Sequence, residues 1–242
     1  MHSEFSVFWD NYGLKEMNPI WGRCFFNDYN GIIRWVEEHN AGRPYHSTRH
    51  LIGVGVLTGY LLSNLEPSNY GLSEKDFESA VIAGLVHDFC HLGEKDDWKN
   101  IEYTLQQLEQ LGFWREFPTA NKAMITLLVG FTHYNFDDPF PQYPGGTGMR
   151  YLFGIIRDAD QLYAMSYLDE DIFNGLYQEI GIRFGQSREE FTKRNIDYIS
   201  NLKFYTALGA AHAKKYRVVA QGSCHYFGLT AQGNNNETVS GE

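Results

Sequence analysis

Apolar residues along this chain recur at intervals of three and four, the period of a helix buried on one face. Stretches that alternate at every second position are scarce. A first helix is predicted over about 21–38, through Phe25, Tyr29, Ile32, Ile33 and Val36. Asn40-Ala41-Gly42-Arg43-Pro44 breaks the pattern, and Pro44 suits a helix start. The next helix is expected to carry His46 and His50 through Val54, Leu57 and Leu61. After a loop at Pro67–Gly71, Ser73 with Asp76 three residues on reads as a capping box. That helix runs through Phe77, Val81, Leu85 and Val86 and delivers His87-Asp88 near its end, before Gly93. Further helices are predicted at about 97–111, 119–133, 150–165, 169–184 and 187–216. The intervening segment 134–148 is rich in Pro, Gly and aromatics and reads as a long loop of the kind that forms lids or binding surfaces. No repeat or linker divides the chain. The expectation is one all-α, single-domain helical bundle over 1–229 and a disordered tail over 230–242.

Composition changes this picture little. A hydrophobic share of 43% over 242 residues is enough for a substantial core, and an aromatic share of 16% makes that core bulky. Charge narrows the function more. A formal net charge of -10 repels phosphate backbones and argues against broad nucleic-acid binding, whereas a small phosphorylated substrate remains compatible because a bound metal inverts the local field. Cys24, Cys90 and Cys224 form no CxxC pair and read as reduced thiols. The N-terminus lacks a basic and then apolar leader, and no apolar run approaches the ~20 residues of a membrane helix. A cytoplasmic protein that meets no membrane is the expectation, and homo-oligomerisation stays open.

The candidate chemistry lies in the histidines. His46 and His50 are four apart, as are His87 and His91, so each pair would project from one helical face, with Asp88 close to the second pair. Asp158 and Asp160 lie in an amphipathic stretch, and His133 ends another predicted helix. An ion that activates water needs a few neutral imidazoles and carboxylates with positions left open. The alternative for each residue is structural: a buried salt-bridged pair at His87-Asp88, a helix-end hydrogen bond at His46, a solvated acid at Asp158.

The order of the pieces is more specific than their spacing. Tyr45-His46-Ser47-Thr48-Arg49-His50, then Ala83-Gly84-Leu85-Val86-His87-Asp88, then Ile155-Ile156-Arg157-Asp158-Ala159-Asp160-Gln161-Leu162 resembles the HD superfamily of metal-dependent phosphohydrolases, and within it the cyclic-nucleotide-phosphodiesterase-like branch. The resemblance covers roughly 43–216. It implies an HD-type helical fold holding one or two divalent ions (Mn, Mg, Zn, Fe, Co and Ni are not distinguished) on His50, His87, Asp88 and Asp160. Asp88 would bridge two ions, His46 would donate a proton, His91 would hydrogen-bond the bridging solvent, and His133 would lie near a second ion. Arg49 and Lys95 are candidate phosphate clamps. Ser47 stands where the phosphodiesterase branch carries Asn, and no purine-gripping Gln-xx-Phe element is evident.

Three functions follow from the resemblance. The first is hydrolysis of a phosphoester of a nucleotide or related small metabolite by metal-activated water. The others are a di-iron oxygenase, which needs more histidines around a second metal, and a nucleotide-binding module without turnover.

Overall fold

The computed structural model describes residues 19–133, 146–165 and 170–214. The expected tail 230–242 and most of the 134–148 loop lie outside the described residues. Those described form helices and connecting turns, with no strand among them. The expected all-α class holds. No helix among them is long and apolar enough to cross a membrane.

The centre is a pair of helices whose apolar residues leave almost no polar face. α1 spans Pro19–His39, and α2 spans Thr48–Ser63. After a 3-10 turn at Pro67–Tyr70, α3 spans Glu74–Val86. α2 is buried nearly all round, from His50 to Leu62, and so is the second half of α3, from Ser79 to Val86. Such helices must be enclosed by others. Their own contact is close because glycines meet: a Cβ on Gly55 would lie 2.4 Å from Leu85 Cδ2, and one on Gly84 would lie 2.8 Å from Thr58 Oγ1. The capping box at the start of α3 forms as the sequence predicts, with Ser73 accepting from Asp76 N and Asp76 accepting from Ser73 N.

Around this pair lie α4 (Asp97–Gln110), the short α5 (Phe113–Glu116), α6 (Lys122–Gly130) and α7 (Thr147–Ala164). α7 packs on both α2 and α3, burying Leu152, Phe153, Ile155, Ile156, Ala159 and Leu162. α8 (Glu170–Leu176) leads directly into a π-helical turn, Tyr177–Gly181, and α9 spans Arg188–Asn201. Residues 207–214 are again helical.

Several boundaries differ from the sequence reading, for local reasons. His46 precedes α2 rather than riding on it: Ser47 is the N-cap, its hydroxyl accepting from His50 N at 3.4 Å. The helix expected over 119–133 starts at an Asn121 cap and ends at Gly130, leaving His133 beyond its C-terminus. The 169–184 helix turns π at Tyr177. The 187–216 helix breaks at Leu202, where the backbone becomes extended. There Asp158 takes the amides of Tyr205 and Thr206 (2.7 and 2.9 Å) and the Thr206 hydroxyl (2.6 Å), and Thr206 Oγ1 in turn accepts from Gly209 N.

Candidate metal centre

Four donors meet at one end of the α2–α3 pair. His50 comes from the first turn of α2, His87 and Asp88 from the turn that ends α3, and Asp160 from the last third of α7. His50 Nε2 lies 3.2 Å from His87 Nε2, 3.4 Å from Asp88 Oδ2 and 3.6 Å from Asp160 Oδ1. His87 Nε2 lies 3.2 Å from Asp88 Oδ2 and 3.9 Å from Asp160 Oδ1. Ligands bonded to one ion at about 2.0–2.2 Å sit roughly 3–4 Å from one another, so this spacing matches donors arranged around a shared centre. His50 and His87 form a buried floor, while the Asp160 side chain is 40% exposed, so the cluster opens on the Asp160 side.

The proton positions fit that use. The Gly84 carbonyl accepts a bond of 3.0 Å from His87 Nδ1, and because a carbonyl only accepts, the neutral His87 ring keeps its proton on Nδ1 and turns its Nε2 lone pair to the cluster. Burial alone would depress His87, but the charge and hydrogen bond of Asp88, with Asp160 behind, lift it to about 9. His50 is driven below its ordinary value by burial, with its partner imidazole His87 adding to the effect against Asp88. Asp88, despite its burial, is held well below the carboxylate range by His87, His91 and His46. Two imidazoles and two carboxylates of this kind are a donor set that suits a divalent ion.

A second group adjoins the first. His46 Nε2 lies 3.5 Å from Asp88 Oδ2, and its Nδ1 donates to Glu179 Oε1 at 2.6 Å. Glu179 Oε2 also accepts from the amides of Tyr45 (3.0 Å) and His46 (3.3 Å). His91 stacks on His46 with ring centroids 3.7 Å apart, and its Nδ1 accepts from Gly93 N at 2.9 Å, which leaves Nε2 as the protonated nitrogen of the neutral ring. His46, His91 and Glu179 are close enough to share an ion. The Nδ1 atoms of both histidines are nonetheless engaged, by Glu179 and by Gly93 N, so this group reads as a hydrogen-bonded support for His46. Burial would lower His46, but Asp88 and then Glu179 raise it above the ordinary histidine value. His91, buried and with a cationic neighbour in His46, falls to about 4 and is neutral. Glu179 drops to about 2: burial works against this, and the His46 hydrogen bond and charge overcome it.

Loop contacts hold the two histidine-bearing segments together. Arg43 Nε donates to the His91 carbonyl at 3.0 Å, and Asn40 Oδ1 accepts from Cys90 N at 2.8 Å. Cys90 adopts φ 56°, which tightens the turn after α3 enough to bring His91 back over the site.

The structure thus brings together His46, His50, His87, Asp88, His91 and Asp160. His46 and His91 arrive from turns, not from the helical faces the spacing implied. His133 joins none of the donor groups; its ring lies flat on Trp98, with centroids 4.3 Å apart. Arg49 is half-buried on α2 and engages another group, and Lys95 is exposed in the loop between His91 and α4. Asp158 is neither a solvated acid nor part of the cluster: it is buried and anchors residues 205–206, and burial carries it up to about 6. Glu179 was missed by sequence reasoning. Its signal was position, since it falls on the stripe of Ile172, Phe173 and Leu176, where a charged residue has to have a partner.

Among the described residues, fold and cluster together define an all-helical architecture with His/Asp groups close enough to hold a metal ion. No protein-family model matches the chain, and no curated protein matches it either.

Proposed function

We propose that this protein is a metal-dependent phosphoesterase of the HD type that hydrolyses a small phosphorylated metabolite such as a nucleotide. The observation that carries the reading is the meeting of His50 and His87 with each other, with Asp88 and with Asp160, at 3.2–3.9 Å, from three helices. A divalent ion held by these residues would supply a Lewis acid and would activate water as the nucleophile at neutral pH.

The chain's own groups do the rest. His46 holds a proton at Nε2, beside the cluster, because Asp88 and Glu179 raise its affinity for it. As the phosphorus–oxygen bond to the leaving group breaks, that proton passes to the leaving oxygen, a step typically worth ~10²–10⁴-fold. Glu179 sets the ring's orientation by accepting from Nδ1 and fixes its backbone by accepting from the Tyr45 and His46 amides. His91, neutral and stacked on the opposite ring, holds the plane of His46 and offers Nε2–H as a donor. Buried Tyr45 and Tyr163 pack on His50, with centroids 4.9 and 4.8 Å away, and keep water from its far side. The oxygenase alternative draws on extra imidazoles around a second ion, and His133 is taken up by Trp98.

The test is elemental analysis of the purified protein together with phosphate release across a panel of phosphoesters with added manganese or magnesium. Asp88→Ala abolishes both metal retention and turnover while the helical signal survives, and His46→Ala keeps the metal but loses most of the rate. A fully active, metal-loaded Asp88→Ala protein would sink the proposal.

A further inference from the structure

Trp98 is one of the exposed large apolar residues, and its ring is stacked on a histidine. It stands in the first turn of α4, 49% exposed, where a soluble surface ordinarily carries a polar residue. One face of its indole is covered by the His133 imidazole, at 4.3 Å and tilted by only 16°. An indole backed by a second flat ring and exposed to this degree is a stacking surface for a third, because aromatic faces attract planar rings of almost any substitution.

Both halves of this pair are tied to the walls of the metal cluster. Trp98 follows His91 by a short loop, and that loop is clamped: Asn100 Oδ1 accepts from Glu94 N at 2.8 Å, and Asn100 Nδ2 donates to Glu94 O at 3.0 Å. Thr104, further along α4, donates to the Phe89 carbonyl beside His87-Asp88 at 2.9 Å. His133 is held from the other side, since Arg157 donates to its carbonyl at 2.8 Å. Arg157 sits three residues before Asp160 and so on nearly the same face of α7. The pair is thus bonded to the two segments that carry the cluster, the turn of His87-Asp88 through α4 and the Asp160-bearing part of α7 through Arg157.

We infer that Trp98, backed by His133, is a stacking subsite that selects substrates whose phosphate is joined to a planar ring system, such as a nucleobase. The inference rests on the phosphoesterase reading only for where the phosphate lies; the stacking itself requires no turnover.

Binding tests it directly. The full-length protein, loaded with manganese, is titrated calorimetrically with adenosine 5′-monophosphate and with ribose 5-phosphate, which share the phosphate and sugar and differ in the ring. The expected result is adenosine monophosphate binding about tenfold or more tighter, in line with the usual contribution of one base stacked on an aromatic side chain. Trp98→Ala removes that advantage and leaves ribose 5-phosphate binding unchanged, while Trp98→Phe restores most of it. Because Trp98 is half-exposed, its loss leaves the fold intact, and circular dichroism of each variant checks this. Equal affinity for the two ligands, absence of binding by either, or an advantage that survives in Trp98→Ala overturns the subsite. Hydrolysis of both ligands at equal efficiency in every variant overturns it too, while the phosphoesterase stands. A ring-dependent advantage lost in Trp98→Ala without phosphate release keeps the subsite and rejects the hydrolase.

Discussion

At the scale of single residues, His87 meets two opposed demands. Without an ion it is buried between Asp88 and Asp160 and binds a second proton, its pKa lifted to about 9; as a ligand it has to give that proton up. The sign follows directly. Below the ordinary histidine value the proton is fully present and stabilises the metal-free fold, and its contribution is lost as pH rises through about 9. Metal therefore competes with one proton across neutral pH. The apparent manganese affinity should rise by about tenfold per pH unit between pH 6.5 and 8.5, with close to one proton released, measurable by calorimetry in buffers of different ionisation enthalpy. A pH-independent affinity would remove His87 from the ligand set. Glu179 gives the second residue-scale prediction. Glu179→Gln keeps an acceptor for the His46 Nδ1–H but removes the charge that raises its pKa. The alkaline limb of the pH–rate profile should move to lower pH, and turnover at pH 8 should fall on the order of tenfold to a hundredfold, with metal content unchanged. An unshifted profile means Glu179 does not act through His46. The six clustered His and Asp residues were legible as residue types in a telling order. Glu179 was not, because its partners Tyr45 and His46 lie 134 and 133 residues away and only the fold joins them.

At the scale of elements, the donor cluster depends on how closely α2 and α3 approach. Gly55 and Gly84 let the helices touch, and each precedes its histidine by a turn or follows it by little more than one. A methyl group on Gly84 would meet Thr58 Oγ1 at 2.8 Å and Gly55 Cα at 3.2 Å, the latter backbone that cannot turn aside. Gly84→Ala should cost about 1–3 kcal/mol by urea unfolding, typical of overpacking, and should weaken metal binding by displacing His87. A neutral effect on both would show that the helices separate without consequence. The helix periods and the Ser73 capping box were readable because they depend on neighbours within one turn. The break of the last helix at Leu202 was not readable. It arises where the buried Asp158 carboxylate captures the Tyr205 and Thr206 amides, a tertiary bond across 47 and 48 residues. The π-turn at Tyr177–Gly181 was equally hidden. α8 is pressed against the 44–46 segment so tightly that a Cβ on Gly175 would lie 2.4 Å from Pro44 O, and the widened turn aims Glu179 at His46.

At the scale of the whole molecule, an ion on His50, His87, Asp88 and Asp160 would join α2, the end of α3 and α7, the elements that make up the centre of the fold. Binding to the native state alone stabilises it by mass action, about 4 kcal/mol at a thousandfold excess over Kd. Manganese should raise the melting temperature by several degrees in the wild type, EDTA should reverse the rise, and Asp160→Asn should blunt it. A melting temperature indifferent to metal in the wild type would argue that the cluster is a structural hydrogen-bonded group. What the sequence alone determined is the all-helical class, most helix positions and the residue types of the donor set, since periodicity, caps and motif order act locally along the chain. The tertiary structure decided the rest. It placed His46 and His91 in turns and stacked them, supplied Glu179 from a distant π-turn, set Asp158 to anchoring a loop and laid His133 on Trp98. Each of these follows from which buried polar group finds a partner across the core, and burial of that kind exists only once the helices have packed.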